Sequence, residues 1–254
     1  MKILISPAKS INEDVQFPDF NYSLPLFGKE AKSLVLKLKK KKANHLMDMM
    51  HVSKDIAELN VNRFKNWHLS DVPSEHVKPA AFLFTGEGYR GLAMNELSDE
   101  VLLKAQDSLR VLSGLYGMLK PFDLIYPYRL EMGTKWSVSD KAANLYQFWG
   151  MKVLKALEKQ TDKSEVIVNL ASTEYAKVIP FKQLKRTVIT PVFKEFKGGE
   201  YKVVMMYAKN ARGKMARFIL ENDFTSPEEL KLFQADGYQF NEALSDATNW
   251  FFVR

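Results

Sequence analysis

The sequence predicts a single α/β domain with a mixed sheet and surrounding helices. Short apolar runs closed by turn residues alternate with amphipathic helical stretches through most of the chain, which favours parallel strands. Two β-rich runs, Val188–Phe196 and Tyr201–Ala208, flank Lys197-Gly198-Gly199-Glu200, a late hairpin signal that adds antiparallel pairing. The length is 254 residues, with 46% apolar and 26% charged residues. That is enough for one sizeable core. No repeat or low-complexity linker divides the chain, so residues 1–254 read as one compact domain.

Lys2–Ser6 is a short apolar run stopped by Ser6-Pro7 and reads as a buried strand. Residues 10–25, with Pro18 and Pro25, read as loop. Leu26–Met50 has a helical pattern, with Leu34, Leu38 and Leu46 among many lysines. Ser53 caps a second helix, Lys54–Trp67, that turns Ile56, Leu59 and Phe64 inward. A polar loop, Leu69–Pro79, leads to Ala80–Phe84, a second buried-strand candidate closed by Gly86 and Gly88. Ser98 caps a helix with Asp99 and Glu100 in its first turn, where acids suit the helix dipole. Its stripe runs Val101, Leu102, Ala105, Leu109 and Leu112. After a Gly-rich joint come a strand at Ile125–Met132, an amphipathic helix at Leu145–Lys159 and a β-rich segment at Glu165–Leu170. Beyond the hairpin lie a helix at Ala211–Asn222, a short helix opened by Pro227, and late strands at Gly237–Phe240 and Asn249–Val253.

Cysteine is absent, which removes disulfides, thiolate nucleophiles and zinc–thiolate sites. The net charge of +7 biases the partners toward polyanions. The apolar start, Ile3–Ile5, is far too short for a signal peptide, and no window reaches membrane-spanning length. The expectation is a soluble cytoplasmic protein with no membrane contact, no cofactor, no metal and no obligate protein partner.

The strongest electrostatic feature is Tyr201–Leu220, which contains no acid but holds Lys202, Lys209, Arg212, Lys214 and Arg217. Gly213 would let something approach the start of that helix, and a helix N-terminus among basic side chains suits an anion. A second candidate is Leu112-Ser113-Gly114-Leu115-Tyr116-Gly117, followed by Lys120-Pro121. A helix ending in such a turn resembles a helix-hairpin-helix, whose backbone amides at Gly114 and Gly117 would face a phosphate, although one residue more separates the glycines than in that consensus. Three polar groups follow strands, where α/β sheets hold ligands. These are Lys9 after the first run, Arg129 and Glu131 two apart on one face, and Asn169, Ser172 and Tyr175 after Val168. Ser172 reads equally well as a helix N-cap.

Weaker signals complete the inventory. Lys37 and Lys39–Lys42 form a basic run that is usually a solvated helix end. Gly86-Glu87-Gly88-Tyr89-Arg90-Gly91 has dinucleotide-type glycine spacing, but no ribose-binding acid follows at the right distance. The four histidines make no metal-binding spacing; His51, Asp55 and Glu58 could share a helix face. Tyr89, Tyr116 and Tyr128, in Gly-rich or polar loops, are the aromatics able to stack on bases.

Several segments together resemble the YaaA family of peroxide-stress proteins. They are Ile3–Lys9 (ILISPAK), Gly114–Gly133 (GLYGMLKPFDLIYPYRLEMG), Leu145–Gly150 (LYQFWG), Val168–Tyr175 (VNLASTEY) and Tyr207–Asn222 (YAKNARGKMARFILEN). Asn210 stands where a second basic residue after Lys209 would be expected. The resemblance implies a bacterial protein made under hydrogen peroxide stress that limits unincorporated iron and Fenton damage to DNA. It also implies DNA binding by an α/β fold with a positive cleft and an embedded helix-hairpin-helix element.

Two readings follow. In the first, Lys9, Lys120, Lys209, Arg212, Lys214, Arg217 and the backbone of Gly114 and Gly117 bind duplex or branched DNA with little sequence specificity. In the alternative, Glu131 is the acid–base of an enzyme acting on a nucleobase, nucleotide or phosphoester, with Arg129, Asn169, Ser172 and Tyr175 around it. The sequence leaves turnover open. Direct iron sequestration has the least support, since the histidines are scattered.

Overall fold

The computed structural model describes residues 1–254. Along the chain, β1 (Lys2–Ile5) and β2 (Ser10–Ile11) precede the helices α1 (Gly28–Leu38), α2 (Ala43–Met50) and α3 (Lys54–Asn66). Next come β3 (Lys78–Pro79), α4 (Ala80–Leu83), β4 (Phe84–Thr85), α5 (Glu87–Leu92) and α6 (Asp99–Ser108). The strands β5 (Leu109–Ser113), β6 (Gly117–Leu119) and β7 (Leu124–Ile125) lead to α7 (Leu145–Lys159), β8 (Ile167–Asn169) and α8 (Thr173–Ala176). The last third holds β9 (Val188–Lys197), β10 (Glu200–Lys202), α9 (Met205–Glu221), β11 (Gln239–Asn241) and β12 (Asn249–Val253).

β1 is buried at every position, as its unbroken apolar run requires. It lies inside an eight-stranded sheet ordered β11-β12-β9-β8-β1-β5-β6, with β10 added to β9. Ile3 pairs in parallel with Leu109 on one side and Val168 on the other. β9 continues the parallel set beside β8, and β12 beside β9. β6, β10 and β11 are antiparallel additions. The fold is therefore α/β with a mixed sheet. The chain reaches β5 on one side of β1 and returns to β8 on the other, so the strand order reverses at β1. The carboxyl ends of strands at such a reversal are where open α/β sheets leave a crevice. No helix is long and apolar enough to cross a membrane.

Several boundaries differ from those the sequence suggested. Ala80–Leu83 is one buried helical turn, not a strand; a short run with no polar position carries no period to separate the two states. Leu109–Ser113 is a fully buried strand, not the end of the preceding helix. The i, i+3 spacing of Leu109 and Leu112 is accidental there, and pairing with β1 decides the conformation. Leu26–Met50 is two helices, parted at Lys39–Lys42. Leu59 points outward and Asn60 inward. Of Ile125–Met132 only the first residue is in a strand. After the hairpin, the chain turns helical at Met205, so Tyr201–Ala208 is only briefly extended.

Candidate nucleic-acid interface

The loops leaving β1 and β8 meet at the reversal point. Ser6 Oγ lies 3.2 Å from Ser172 Oγ and accepts the Ser172 backbone N–H at 2.9 Å. Ser172 stands at the N-cap position of α8, where its carbonyl accepts the Ala176 N–H, but its side chain makes no cap bond and faces Ser6 instead. The Tyr89 hydroxyl donates to the Ser6 carbonyl. Asn169 is buried, donating to Thr190 Oγ1 and accepting from the Ala171 backbone.

Over this junction runs the segment Arg129–Gly133. Glu131 spends one carboxylate oxygen on Lys9 (2.6 Å) and the other on Arg129 (3.2 Å). The Gly133 amide donates to Glu174 in α8. Burial raises the Tyr175 phenol well above its usual pKa, and the nearby Glu131 and Glu174 charges push the same way. The structure thus brings together Lys9, Arg129, Glu131, Ser172 and Tyr175, with Asn169 beneath. The carboxylate that an acid–base role would require has both oxygens engaged by cations. That trio joins two chain segments, the loop after β1 and Arg129–Gly133, as an ion-pair network.

The basic helix is differently built from its sequence reading. α9 starts at Met205, so Arg212 lies two turns inside it rather than at its N-terminus. Gly213 does provide close approach, but to a protein element. A Cβ at Gly213 would strike the Gly88 carbonyl, and one at Gly91 the Asn210 carbonyl. Of the glycines in Gly86–Gly91, Gly91 therefore serves an α5–α9 crossing, and Gly86 supplies a positive φ of 105° just before α5. Asn210 also donates to the Glu87 carbonyl across that crossing.

Three of the five cations in Tyr201–Leu220 are matched by acids. Lys202 pairs with Glu200, Lys214 with Asp236 at 2.5 Å, and Arg217 with Glu96 and Glu221. Lys209 is exposed and has no ion pair. Arg212 is half-buried and makes no ion pair, and desolvation pushes its guanidinium down from the usual value.

Other predicted contacts are dispersed. Gly114 opens the buried turn between β5 and β6, packed on the Leu130 carbonyl, and Gly117 begins β6 against Trp149. Two strands flank the turn, so the helix-hairpin-helix-like element expected at this segment is strand–turn–strand, and Leu115 and Tyr116 inside it are wholly buried. Lys120 sits beside Arg110, Asp123 and Gln160 around a cavity of about 220 Å³. Since Leu119 pairs with Val111 and Gly117 with Ser113, Lys120 lies toward the amino end of β5, away from Lys9. Tyr89, Tyr116 and Tyr128 are buried and pack at tilted or edge-to-face angles against the protein's own aromatics. In the basic run, Lys37 donates to the Val138 carbonyl while Lys39, Lys40 and Lys42 are exposed.

Over residues 1–244 the chain matches the model of a family described as peroxide stress protein YaaA. The chain belongs to this family. A UPF0246 protein of Hahella chejuensis is 44% identical over 256 residues, covering all of this chain and 99% of its own length. UPF0246 proteins of Flavobacterium johnsoniae (44% identical) and Clostridium perfringens (45%) match this chain and themselves from end to end. The YaaA resemblance of the separate motifs thus extends over the whole fold, and the peroxide-stress class it implied is that of the family.

Proposed function

We propose that this family member binds DNA during peroxide stress, through the amino-terminal half of α9 and with little sequence preference. The observation that carries the reading is Arg212. A half-buried cation with no ion pair in the chain carries an uncompensated desolvation cost, which a bound phosphate would offset. Lys209, three residues earlier and therefore on a neighbouring part of the helix surface, adds an unpaired exposed charge. The chain's net charge of +7 supplies long-range attraction to a polyanion. Phosphate contacts position a protein without reading bases, which suits general protection. Any effect on unincorporated iron follows indirectly in this reading, because no group of three or more His, Asp or Glu side chains is placed to hold a metal.

Fluorescence anisotropy on two duplexes of unrelated sequence, across a salt series, tests the proposal. Affinities for the two should agree within about threefold. The slope of log K against log salt should be negative by about one per phosphate contacted. A salt-independent affinity, or binding to only one sequence, would overturn it.

A further inference from the structure

Toward the amino end of β5, four chain segments enclose the cavity of about 220 Å³ beside Lys120. The loop before α1 brings Ser23, Leu24 and Leu26, β5 brings Arg110, and the residue closing α7 is Gln160. Met118 of β6 lines it too, with Lys120 and Asp123 just beyond that strand.

Arg110 is the member whose surroundings are incomplete. It is 3% exposed. Desolvation lowers its guanidinium from the usual value, and the charges of Asp123, Asp107 and Glu165 oppose that shift without forming an ion pair to it. Nε donates to Gln160 Oε1 at 2.7 Å, and Nη1 to the Gln106 and Leu109 carbonyls at 3.1 and 2.7 Å. Nη2 makes no hydrogen bond and is not sealed from solvent, so it opens on the cavity that Arg110 lines. A cation buried this deeply with donors unmatched is costly, and a bound anion would match them.

The neighbours say which anion. Asp123 is already engaged, one oxygen by the Ser23 hydroxyl at 2.6 Å and the other by the Lys120 amide at 2.8 Å. Glu165 is held by Lys2 and the chain's N-terminal amine. The Lys120 ammonium is partly exposed and has no ion pair. The lining therefore holds two cations and one carboxylate, a net charge of +1, which matches a monoanion better than a doubly charged phosphate. Leu24, Leu26 and Met118 supply an apolar wall, and the two leucines are exposed, so a hydrocarbon body would be covered there. A planar guanidinium fits a planar carboxylate.

We propose that this cavity binds a small organic monocarboxylate, its carboxylate paired with Arg110 and Lys120 and its hydrocarbon body resting on Leu24, Leu26 and Met118. The site uses none of the α9 residues and does not rest on the DNA reading, so failure of either leaves the other standing.

The test is an NMR titration of the whole chain, labelled at its methionine methyl groups, with butanoate as the probe. Butanoate should shift the Met118 methyl resonance saturably and leave exposed Met206 in place. Its Kd should be about 1 mM or below, as roughly six heavy atoms of ordinary ligand efficiency allow. Butanamide, the neutral isostere, and inorganic phosphate should each bind about tenfold or more weakly. Lys120→Met and Arg110→Lys should each weaken butanoate by about tenfold. Lys120 is partly exposed, so Lys120→Met decides the matter if Arg110→Lys does not fold by circular dichroism. A Met118 resonance that stays in place, equal affinity for butanamide, tighter binding of phosphate, or unchanged butanoate affinity in Lys120→Met would each overturn the proposal.

Discussion

At the scale of single residues, Arg212 and Asp123 show how desolvation weighs on a charged group, without an ion pair at Arg212 and against several favourable contacts at Asp123. Arg212 has no carboxylate to offset its desolvation, so it should lower stability while serving a ligand. Arg212→Met, which keeps the length and removes the charge, should therefore melt at the same or a higher temperature than wild type while losing DNA affinity. A drop in melting temperature would mean that the guanidinium holds the fold together instead. Asp123 is buried and accepts hydrogen bonds from Ser23 and the Lys120 amide. Desolvation nevertheless pushes its carboxyl up to about 6, against those hydrogen bonds and the nearby Lys120 and Arg110 charges. A carboxyl raised in the folded state takes up a proton on folding between its unfolded and folded pKa values. Stability from this group is therefore greatest below pH 4, declines to about pH 6, and is flat above. The change is at most roughly 3 kcal/mol. Asp123→Asn should remove that decline in urea melts taken from pH 4 to 7; an unchanged pH profile would show that other groups set it. The sequence displayed all these side chains but not their surroundings. Lys214 has no acid close to it in the chain, and Asp236 arrives from 22 residues away; Arg217 takes Glu96 from 121 residues away as well as Glu221 four residues on.

Among the elements, the α5–α9 crossing explains two glycine signals that had pointed to ligands. Helices come this close only where side chains are missing, and Gly91 and Gly213 supply one gap on each partner. Gly213→Ala would drive a methyl group into the Gly88 carbonyl, backbone that cannot turn aside. It should cost about 2 kcal/mol or more, read as a fall of roughly 5 °C in melting temperature. An unshifted melt would show that the crossing has slack. The glycine spacing was visible in sequence, but spacing alone cannot tell a phosphate from a helix as the thing approaching. The same limit applies to Ala80–Leu83 and Leu109–Ser113, where uniform burial erased the periodicity that separates helix from strand. Amphipathic or capped segments were legible: Ser53 and Ser98 accept backbone N–H groups at the starts of α3 and α6. Asn144 caps α7 in the same way.

For the molecule as a whole, alternation of strands and helices followed by a hairpin was sufficient to anticipate an α/β mixed sheet. The strand order was not legible, since it depends on pairings over more than 100 residues, such as Ile3 with Leu109 and with Val168. That order decides which candidate residues meet. It assembles Lys9, Arg129, Glu131 and Ser172 at one end of the sheet, and places Lys120 near the other. The central claim is that the unpaired cations of α9, and not its paired ones, hold DNA. Duplex affinity at two salt concentrations should be measured for Lys209→Ala/Arg212→Gln and for Lys214→Ala/Arg217→Ala, each checked for folding. The account predicts a loss of tenfold or more and a salt slope shallower by about two for the first pair, with less than about threefold loss for the second. A larger loss from Lys214 and Arg217, or equal affinities for both variants and wild type, would contradict it.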